Sequence, residues 1–215
     1  MYCEKNGIKY IHGCEVYLTE KLFHDNFDST NEDEPYKVRD NYHTVLLAKN
    51  FEGLKELNTL VGLATQPDHF YYKPRLSFDE FLGVSDNIVK ISACLASPLN
   101  KLMNTITPIK EKIESLQSQL LEAKEEDPNF DGLKIRNEIL FNQSQIDETK
   151  DYFDKLLKHY DYYEIQYHNT EDQISFNKSL YDLSKKYNKP LIAGTDTHSL
   201  NSYKAMYKFI ICLIC

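Results

Sequence analysis

The feature that most restricts the fold of this chain is the alternation of short apolar runs with segments of helical periodicity. The apolar runs, which predict strands, span residues 7–18, 42–48, 87–94, 162–168 and 190–198. Apolar residues at helical spacing occupy 51–63, 78–82, 171–187 and 202–215. Ser77 suits the N-cap of the helix 78–82, and a further helix is expected near 98–103. A repeated strand–helix order predicts an α/β fold with a mostly parallel sheet or barrel. In such folds the functional groups gather at one end of the strands.

The last predicted strand is followed by residues whose side chains can bind a metal ion. Leu191 to Ala193 form an apolar run that predicts a buried strand, and Gly194 ends it. Asp196 and His198 follow, and residues two apart in an extended segment point to the same side. A carboxylate beside an imidazole suits a divalent metal ion. The alternative is a plain loop in which Asp196 caps the next turn and His198 is exposed.

Side chains that can bind metal recur where the predicted strands begin or end. They are Glu15, His43, Cys94, His168, Asp196 and His198. Taken alone, His43 could be a hydrogen-bonded strand-end residue and Cys94 a small core side chain. An acid such as Glu15 within an apolar stretch is costly unless it is paired or bound to metal. Together the six residues predict a divalent-metal site at one rim of the sheet.

Residues 105–150 differ from the rest of the chain in composition, since they are rich in Glu, Lys, Gln and Asn. They predict a helical hairpin inserted into a single domain that spans 1–215. Their apolar residues recur every three or four positions on a charged background, and Asp131-Gly132 marks a turn. Two interpretations remain open: a solvated charged face over an apolar stripe, or a surface that binds a partner. The polar, acidic segment 19–41 predicts an exposed loop.

Charge and composition exclude several classes of protein. A formal net charge of −8 and a pI near 5.4 argue against a broad nucleic-acid-binding face, which needs excess Lys and Arg. The five cysteines are odd in number and scattered, so no disulfide framework is predicted. No signal peptide is visible, and no apolar run approaches the ~20 residues that span a bilayer. We therefore expect a cytoplasmic protein without a membrane partner.

Six sequence blocks occur in one order along the chain. They are Gly13-Cys14-Glu15-Val16-Tyr17, His43-x-x-Leu46-Leu47-Ala48-Lys49-Asn50, Lys73-Pro74-Arg75-Leu76, Ser92-Ala93-Cys94-Leu95, Glu164-Ile165-Gln166-x-His168 and Thr195-Asp196-Thr197-His198. This ordered set resembles the polymerase-and-histidinol-phosphatase (PHP) domain family, in the branch found at the N-terminus of bacterial DNA polymerase III alpha subunits. The resemblance covers nearly the whole chain apart from 19–41 and 105–150.

The resemblance implies a distorted, TIM-like β/α barrel whose rim binds divalent metal ions, commonly zinc, manganese or iron. By motif match, the six residues above would be metal ligands, with Asp196 and His198 also the candidates for catalysis. The family's opening strands carry His-x-His and Thr-Asp-His motifs that this sequence lacks, and the polymerase palm is absent as well. We therefore expect an incomplete barrel with a partial metal site, from a fragment of a longer reading frame or a degenerate copy. An open barrel exposes strand edges, so we also expect self-association.

Three functions follow from these expectations. The first is the PHP portion of a DNA polymerase III alpha subunit, a nucleotidyltransferase of DNA replication. Its partners would be the remainder of that subunit or replisome proteins, with DNA contacted only indirectly. The second is a metal-dependent phosphoesterase or 3′–5′ exonuclease, in which metal-bound water attacks a phosphate ester and His198 or His168 assists. The third is a non-catalytic interaction module that uses the hairpin. A half-set of ligands holds metal weakly, which favours the first and third functions.

Overall fold

A computed structural model describes residues 2–23, 37–195 and 197, and shows a mixed α/β architecture. Its elements in chain order are α1 (Tyr2–Lys5), β1 (Gly13–Thr19), β2 (Tyr42–Ala48), α2 (Phe51–Ala64), β3 (Arg75–Ser77), α3 (Phe78–Leu82), β4 (Ile88–Ile91), α4 (Pro98–Glu126), α5 (Leu133–His159), β5 (Tyr163–Gln166), α6 (Glu171–Tyr187) and β6 (Leu191–Gly194). None of the described helices is both long enough and apolar enough to cross a bilayer.

Four strands form a mixed sheet in the order β3-β1-β2-β4. Strand β1 runs antiparallel to β2 and parallel to β3, and β2 runs antiparallel to β4. The prediction of a mostly parallel sheet is therefore wrong for this part of the chain. A parallel crossover usually contains a helix, whereas the sequence between β1 and β2 is polar and lacks a helical pattern. Such a connection suits two neighbouring strands that run in opposite directions.

Strands β5 and β6 form a second, parallel pair. Backbone contacts join this pair to β4. Ile91 and Tyr162 form a parallel bridge, and the Ser92 amide donates a 3.2 Å hydrogen bond to the Tyr162 carbonyl. The Asp161 amide donates to the Lys90 carbonyl over 2.8 Å. The described strands therefore follow one another sideways, from β3 at one edge to β6 at the other.

The main core lies between the sheet and the helices. Its fully buried side chains include Leu18, Leu46, Leu76, Phe78, Phe81, Ile88, Leu99, Leu156, Leu157, Tyr160, Tyr163 and Leu180. Burial of an aliphatic or aromatic side chain of this size contributes roughly 1.5–3 kcal/mol each. These residues come from all four strands of the larger sheet, from β5 and from α3 to α6, so the sheet and these helices fold as one unit.

Local signals set two helix starts. Ser77 begins α3, as predicted: its hydroxyl accepts a hydrogen bond from the Glu80 amide over 3.3 Å. The Glu80 carboxylate accepts in return from the Ser77 amide over 2.7 Å, which completes a capping box. Helix α2 begins after Asn50, whose side-chain oxygen accepts from the Gly53 amide over 2.8 Å.

Helices α4 and α5 pair as a long hairpin. Helix α4 is continuous from Pro98, whereas the sequence predicted a short helix near 98–103 and a separate one beyond 105. Pro108 lies inside α4, where it removes one backbone hydrogen bond without ending the helix. Gly132 precedes α5 with a φ of 57°, and a Cβ there would come within 2.4 Å of the Leu120 side chain. Glycine is therefore required at this tight turn.

The two helices of the hairpin are held together along their length. Ile113, Leu116 and Ile146 are buried, and Lys112 forms a 2.9 Å ion pair with Glu138. At the base of the hairpin, the first turns of α4 and the last turns of α5 belong to the main core. The hairpin is therefore anchored at its base and extends away from the sheet.

Two predicted strands differ from the structure. The first begins at Gly13 instead of residue 7. The last, β6, is less buried than predicted, since Ile192 is 38% exposed and Ala193 is also exposed. The strand predicted at 191–193 is confirmed as β6, but its predicted burial is wrong, because β5 is the only neighbour of β6 among the described strands. The helix predicted for 202–215 and most of the predicted loop 19–41 lie outside the described residues.

Candidate metal centre

Glu15 and His43 lie on neighbouring strands and face each other. In the β1–β2 ladder Tyr17 is opposite His43, and Glu15 is two residues before Tyr17. Because residues two apart on a strand point to the same side, all three share one face of the sheet. The Nδ1 atom of His43 is 3.5 Å from Oε1 of Glu15. The two side chains are 27% and 44% exposed, so an ion or a substrate can reach them from solvent.

Cys94 reaches the same place from the end of β4. The chain turns at Ala93, whose φ of 59° lies in the left-handed region and costs a residue with a Cβ roughly 1–2 kcal/mol. This turn puts Sγ of Cys94 3.7 Å from Nδ1 of His43. The His43 amide donates a 2.9 Å hydrogen bond to the Ala96 carbonyl, so the loop after β4 is fastened to the start of β2. Backbone contacts therefore hold the thiol and the imidazole together.

Oxygen, nitrogen and sulfur atoms thus meet around His43 Nδ1. A tetrahedral zinc ion has ligand bonds of about 2.0–2.3 Å, which separates its donor atoms by roughly 3.3–3.7 Å. The separations of 3.5 and 3.7 Å are of this size, and the donor set is one that zinc accepts. These contacts are pairwise, however. Within residues 2–23, 37–195 and 197, no three His, Cys, Asp or Glu side chains converge as a complete metal site. The described geometry therefore fits one part of a metal site.

The other three predicted ligands are not among the side chains that meet at His43 in the described structure. His168 follows β5, is half-buried, and packs its ring against Tyr167 with centroids 5.1 Å apart. Asp196 and His198 lie outside the described residues. Metal binding and catalysis by these three residues stay predictions.

Glu164 is a residue of this region that the sequence analysis did not single out as a functional group. Its carboxylate accepts a 2.9 Å hydrogen bond from the Gln166 side chain, and its amide donates to the Ser92 hydroxyl over 2.9 Å. A Cβ on Gly194 would lie only 1.9 Å from Oε1 of Glu164. The Glu164 carboxylate would therefore have to move to admit a larger residue at 194. This close approach explains the glycine directly before the Thr195–His198 block.

Tyr17 and Lys73 also border the site and were missed as functional residues. The Tyr17 ring meets the His43 ring edge-on, with centroids 5.1 Å apart. Lys73 donates a 2.8 Å hydrogen bond from Nζ to the Tyr17 hydroxyl, and Nζ lies 4.2 Å from the centre of the Tyr17 ring. A signal was available, since Tyr17 follows Glu15 by two residues and Lys73 lies in the Lys73-Pro74-Arg75-Leu76 block.

Buried polar contacts hold the strand that follows Lys73. The Arg75 side chain is fully buried, and its Nε donates to the His69 carbonyl over 3.1 Å. Its Nη1 donates to the carbonyls of Val38 and Asp40, the latter over 3.2 Å. This arginine thereby joins β3 to the segment that precedes β2. Its buried charge supports structure, because the partners that it satisfies are backbone carbonyls.

His69 lies between two carboxylates. Its Nδ1 is 2.8 Å from Asp68, and its Nε2 is 2.7 Å from Glu80, the acid that caps α3. Burial alone lowers the pKa of His69, but the hydrogen bonds to Glu80 and Asp68 outweigh it and raise the pKa above 6.5. Burial raises the pKa of Glu80, but its bonds to His69 and Ser77 leave that pKa below 4.5. The two carboxylates and the imidazole form a structural clamp between the residues before β3 and helix α3.

Comparisons with known proteins agree with the residue blocks. The sequence profile of the PHP domain matches residues 1–130. DNA polymerase III subunit alpha of Aquifex aeolicus is 29% identical over 195 residues, which are 91% of this chain and 14% of that protein. The same subunit of Borreliella burgdorferi is 29% identical over 213 residues, 98% of this chain and 15% of that protein. A PolC-type DNA polymerase III of Clostridium perfringens is 26% identical over 174 residues, 79% of this chain and 10% of that protein. The chain thus spans about one seventh of the alpha subunits that it matches.

Proposed function

Since this chain belongs to the PHP domain family, we propose that it forms the PHP portion of a DNA-polymerising subunit that acts in DNA replication in the cytoplasm. Similarity to DNA polymerase III alpha subunits over more than nine-tenths of the chain supports this assignment. In this role the domain contributes a folded support with a partial divalent-metal site. Its partners are the rest of the polymerase subunit or other replisome proteins.

The observation that carries the metal site is the pair of contacts that Glu15 and Cys94, from two separate segments, each make with His43. Glu15 comes from β1, His43 from β2 and Cys94 from the loop after β4. The Glu15 carboxylate and the Cys94 thiol both approach the Nδ1 atom of His43. Zinc, manganese or iron would be held by these residues together with His168, Asp196 and His198. A cation bound here would lower the pKa of its bound water and attract the oxygens of a phosphate ester.

The chain's own residues would prepare such a site. The hydrogen bond from the His43 amide to Ala96 fixes the backbone at His43, and the edge contact with Tyr17 limits the orientation of the imidazole. The Glu15 carboxylate, 44% exposed, supplies negative charge on the same face. His198 or His168 is the residue that we assign to carry a proton.

For the fold as a whole, we propose an incomplete β/α barrel. The lateral succession from β3 through β4 to β5 and β6 supports it, because β4 and β5 are linked by backbone hydrogen bonds. The exposed apolar residues of β6 also support it, since barrel closure would give this strand a second neighbour.

Metal analysis of the purified chain tests the proposed site. The wild-type chain is loaded with zinc or manganese, passed through a desalting column, and assayed for bound metal per chain. We expect stoichiometric or substoichiometric metal that falls several-fold in His43→Ala, Asp196→Ala and His198→Ala. His12→Ala is the matched control, because His12 is an exposed histidine close to the start of β1. A wild-type chain that retains no metal, or equal retention in all variants, would show that the site does not exist.

The same preparations distinguish a structural domain from an independent phosphoesterase. We expect little or no hydrolysis of a model phosphodiester by the metal-loaded chain. Metal-dependent hydrolysis that is lost in His198→Ala would instead assign catalysis to this domain itself.

A specific observation favours a second function, partner binding by the hairpin. The part of the hairpin away from the sheet exposes Leu121, Leu133, Leu140 and Phe141, which are 54–67% accessible. Large apolar side chains grouped on one projection are typical of binding surfaces. Replacing Leu140 and Phe141 together by serine should abolish co-elution with the remaining polymerase subunit supplied in trans. Tyr72→Ser is the control, because Tyr72 is 82% exposed but lies outside the hairpin. Unchanged co-elution of the double variant would exclude this surface.

A further inference from the structure

Lys73 lies near the candidate metal centre, and the Tyr17 side chain stands between Lys73 and His43. Its Nζ donates to the Tyr17 hydroxyl over 2.8 Å and lies 4.2 Å from the Tyr17 ring centre, and the Tyr17 ring meets the His43 ring at 5.1 Å. An exposed ammonium group thus stands on the same side of the sheet as Glu15 and His43. A lysine at this place brings a second positive charge close to a site where we expect a cation.

The position of Lys73 is determined by the backbone on both sides. Arg75, two residues later, is fully buried and pairs with Tyr17 in the β1–β3 ladder. Tyr71, two residues earlier, forms a bridge with Lys73, and the Tyr71 amide donates to the Lys73 carbonyl over 3.1 Å. Lys73 itself is exposed to solvent. Its Cα is therefore held next to Tyr17, whereas its ammonium group keeps two further donors for a ligand.

On the basis of the proposed function, we propose that Lys73 binds the phosphoryl group of a phosphate ester at the metal centre. A phosphate oxygen carries the negative charge that a cation and a lysine can share, which is how lysines act as point charges toward phosphate. The contact with Tyr17 limits the freedom of the lysine side chain and so lowers the entropic cost of that binding. Lys73 is in this view a residue of substrate recognition, not a metal ligand.

The two possible roles of Lys73, support of the site and recognition of phosphate, predict different changes in metal affinity when the lysine is removed. If Lys73 only supported Tyr17 and, through it, His43, its removal would loosen the imidazole and weaken metal binding. If Lys73 recognises phosphate, its removal takes a positive charge away from a cation site. Metal binding then stays equal or becomes slightly tighter, because like charges repel. The sign of the change in metal affinity therefore separates the two roles.

The experiment measures two affinities on the same 215-residue chain. The first is for Mn²⁺ alone. The second is for inorganic phosphate and for thymidine 5′-monophosphate, each titrated into the Mn²⁺-loaded protein by calorimetry. The variants are Lys73→Gln, which removes the charge, and Tyr17→Phe, which keeps the ring and removes only the hydroxyl that holds Lys73. Lys55→Gln is the matched control, because Lys55 is an exposed lysine 4.7 Å from the ring centre of Phe51.

In Lys73→Gln we expect phosphate binding to weaken by about three- to tenfold while the Mn²⁺ affinity stays within about threefold of wild type. Tyr17→Phe should show a smaller loss, and Lys55→Gln none. Equal losses for the two probes assign recognition to the phosphoryl group itself, whereas a loss confined to the nucleotide would place Lys73 against the nucleoside and overturn the inference.

Two outcomes would overturn this inference and leave the metal site standing. In the first, Lys73→Gln binds Mn²⁺ and keeps its full affinity for phosphate. In the second, the wild-type chain binds Mn²⁺ but no phosphate. Mn²⁺ binding that weakens by more than about threefold in Lys73→Gln also overturns it, in favour of the structural role. A wild-type chain that binds no Mn²⁺ overturns the proposed metal site and this inference together.

Discussion

Two edge strands, β3 of the four-stranded sheet and β6 of the β5–β6 pair, are both short, yet they are held in opposite ways. Strand β3 carries a buried arginine and a buried leucine, and the residues around it form a clamp of His69, Asp68 and Glu80. Strand β6 has exposed apolar side chains and a glycine pressed against Glu164. The comparison teaches that the stability of an edge strand depends on which distant side chains reach it, and much less on its own hydrophobicity.

The largest expected effect concerns the arginine of β3. Arg75→Met should lower the free energy of unfolding by about 3–5 kcal/mol, because carbonyls of His69 and Asp40 lose their buried donor. Urea denaturation followed by circular dichroism measures this change. Arg39→Met is the control, since Arg39 is exposed, and it should stay within about 0.5 kcal/mol of wild type. A comparable loss in both variants would mean that β3 is not held by this network.

On strand β6, addition of a methyl group at Gly194 should lower the stability of the chain. Gly194→Ala should destabilise the chain by about 1–3 kcal/mol, because the new Cβ would overlap the Glu164 carboxylate. The cost should fall by at least half in a Glu164→Ala background, where that space is empty. Urea denaturation of the two single variants and the double variant completes the cycle. Additive effects of the two substitutions would contradict the close approach.

The clamp beside β3 should make stability depend on pH. The pKa of His69 is raised, so its contribution is complete below the ordinary imidazole pKa of 6.5 and is lost as pH rises through the raised value. The pKa of Glu80 is lowered, so its contribution is complete above 4.5 and is lost as pH falls through the lowered value. Both contributions are complete between pH 4.5 and pH 6.5, so the clamp stabilises the fold most in this range. We expect the stabilisation to be on the order of 1 kcal/mol. Urea denaturation across this range measures the effect.

The matched variant for this measurement is His69→Gln, which keeps hydrogen-bonding atoms but cannot become charged. Its stability curve should lack the component that declines above the imidazole pKa. If wild type and His69→Gln show parallel curves from acid to neutral pH, the ion pairs of the clamp contribute nothing measurable.

The smallest effect is expected for an apolar side chain of β6. Ile192→Ala should cost less than about 1 kcal/mol, because Ile192 is already 38% exposed. Leu76→Ala on β3, where the side chain is fully buried, should cost about 2–5 kcal/mol. Thermal or urea denaturation of the two variants gives the ratio directly. Equal costs would mean that β6 is as well covered in solution as β3.

Several local predictions agree with the structure because their signals are local. The strand 42–48, the helix start at Ser77 and the Asp131-Gly132 turn each depend on residues close in sequence. The resemblance to the PHP family is confirmed as well, since it depends on the order of motifs and not on their contacts. The six-residue metal site stays a prediction: Glu15 and Cys94 each contact His43, His168 packs against Tyr167, and Asp196 and His198 lie outside the described residues.

By itself, the sequence determined most of the helices and strands, the α/β class and the family. Periodicity and capping residues are properties of neighbouring residues, and the order of the motifs can be read without any knowledge of their contacts. Tertiary structure alone decided the antiparallel pairing of β1 with β2, the exposure of β6, and the approach of Lys73 to His43 by way of Tyr17. Each of these depends on contacts between residues far apart along the chain. Such contacts are selected by the packing of the whole domain, which no local pattern contains.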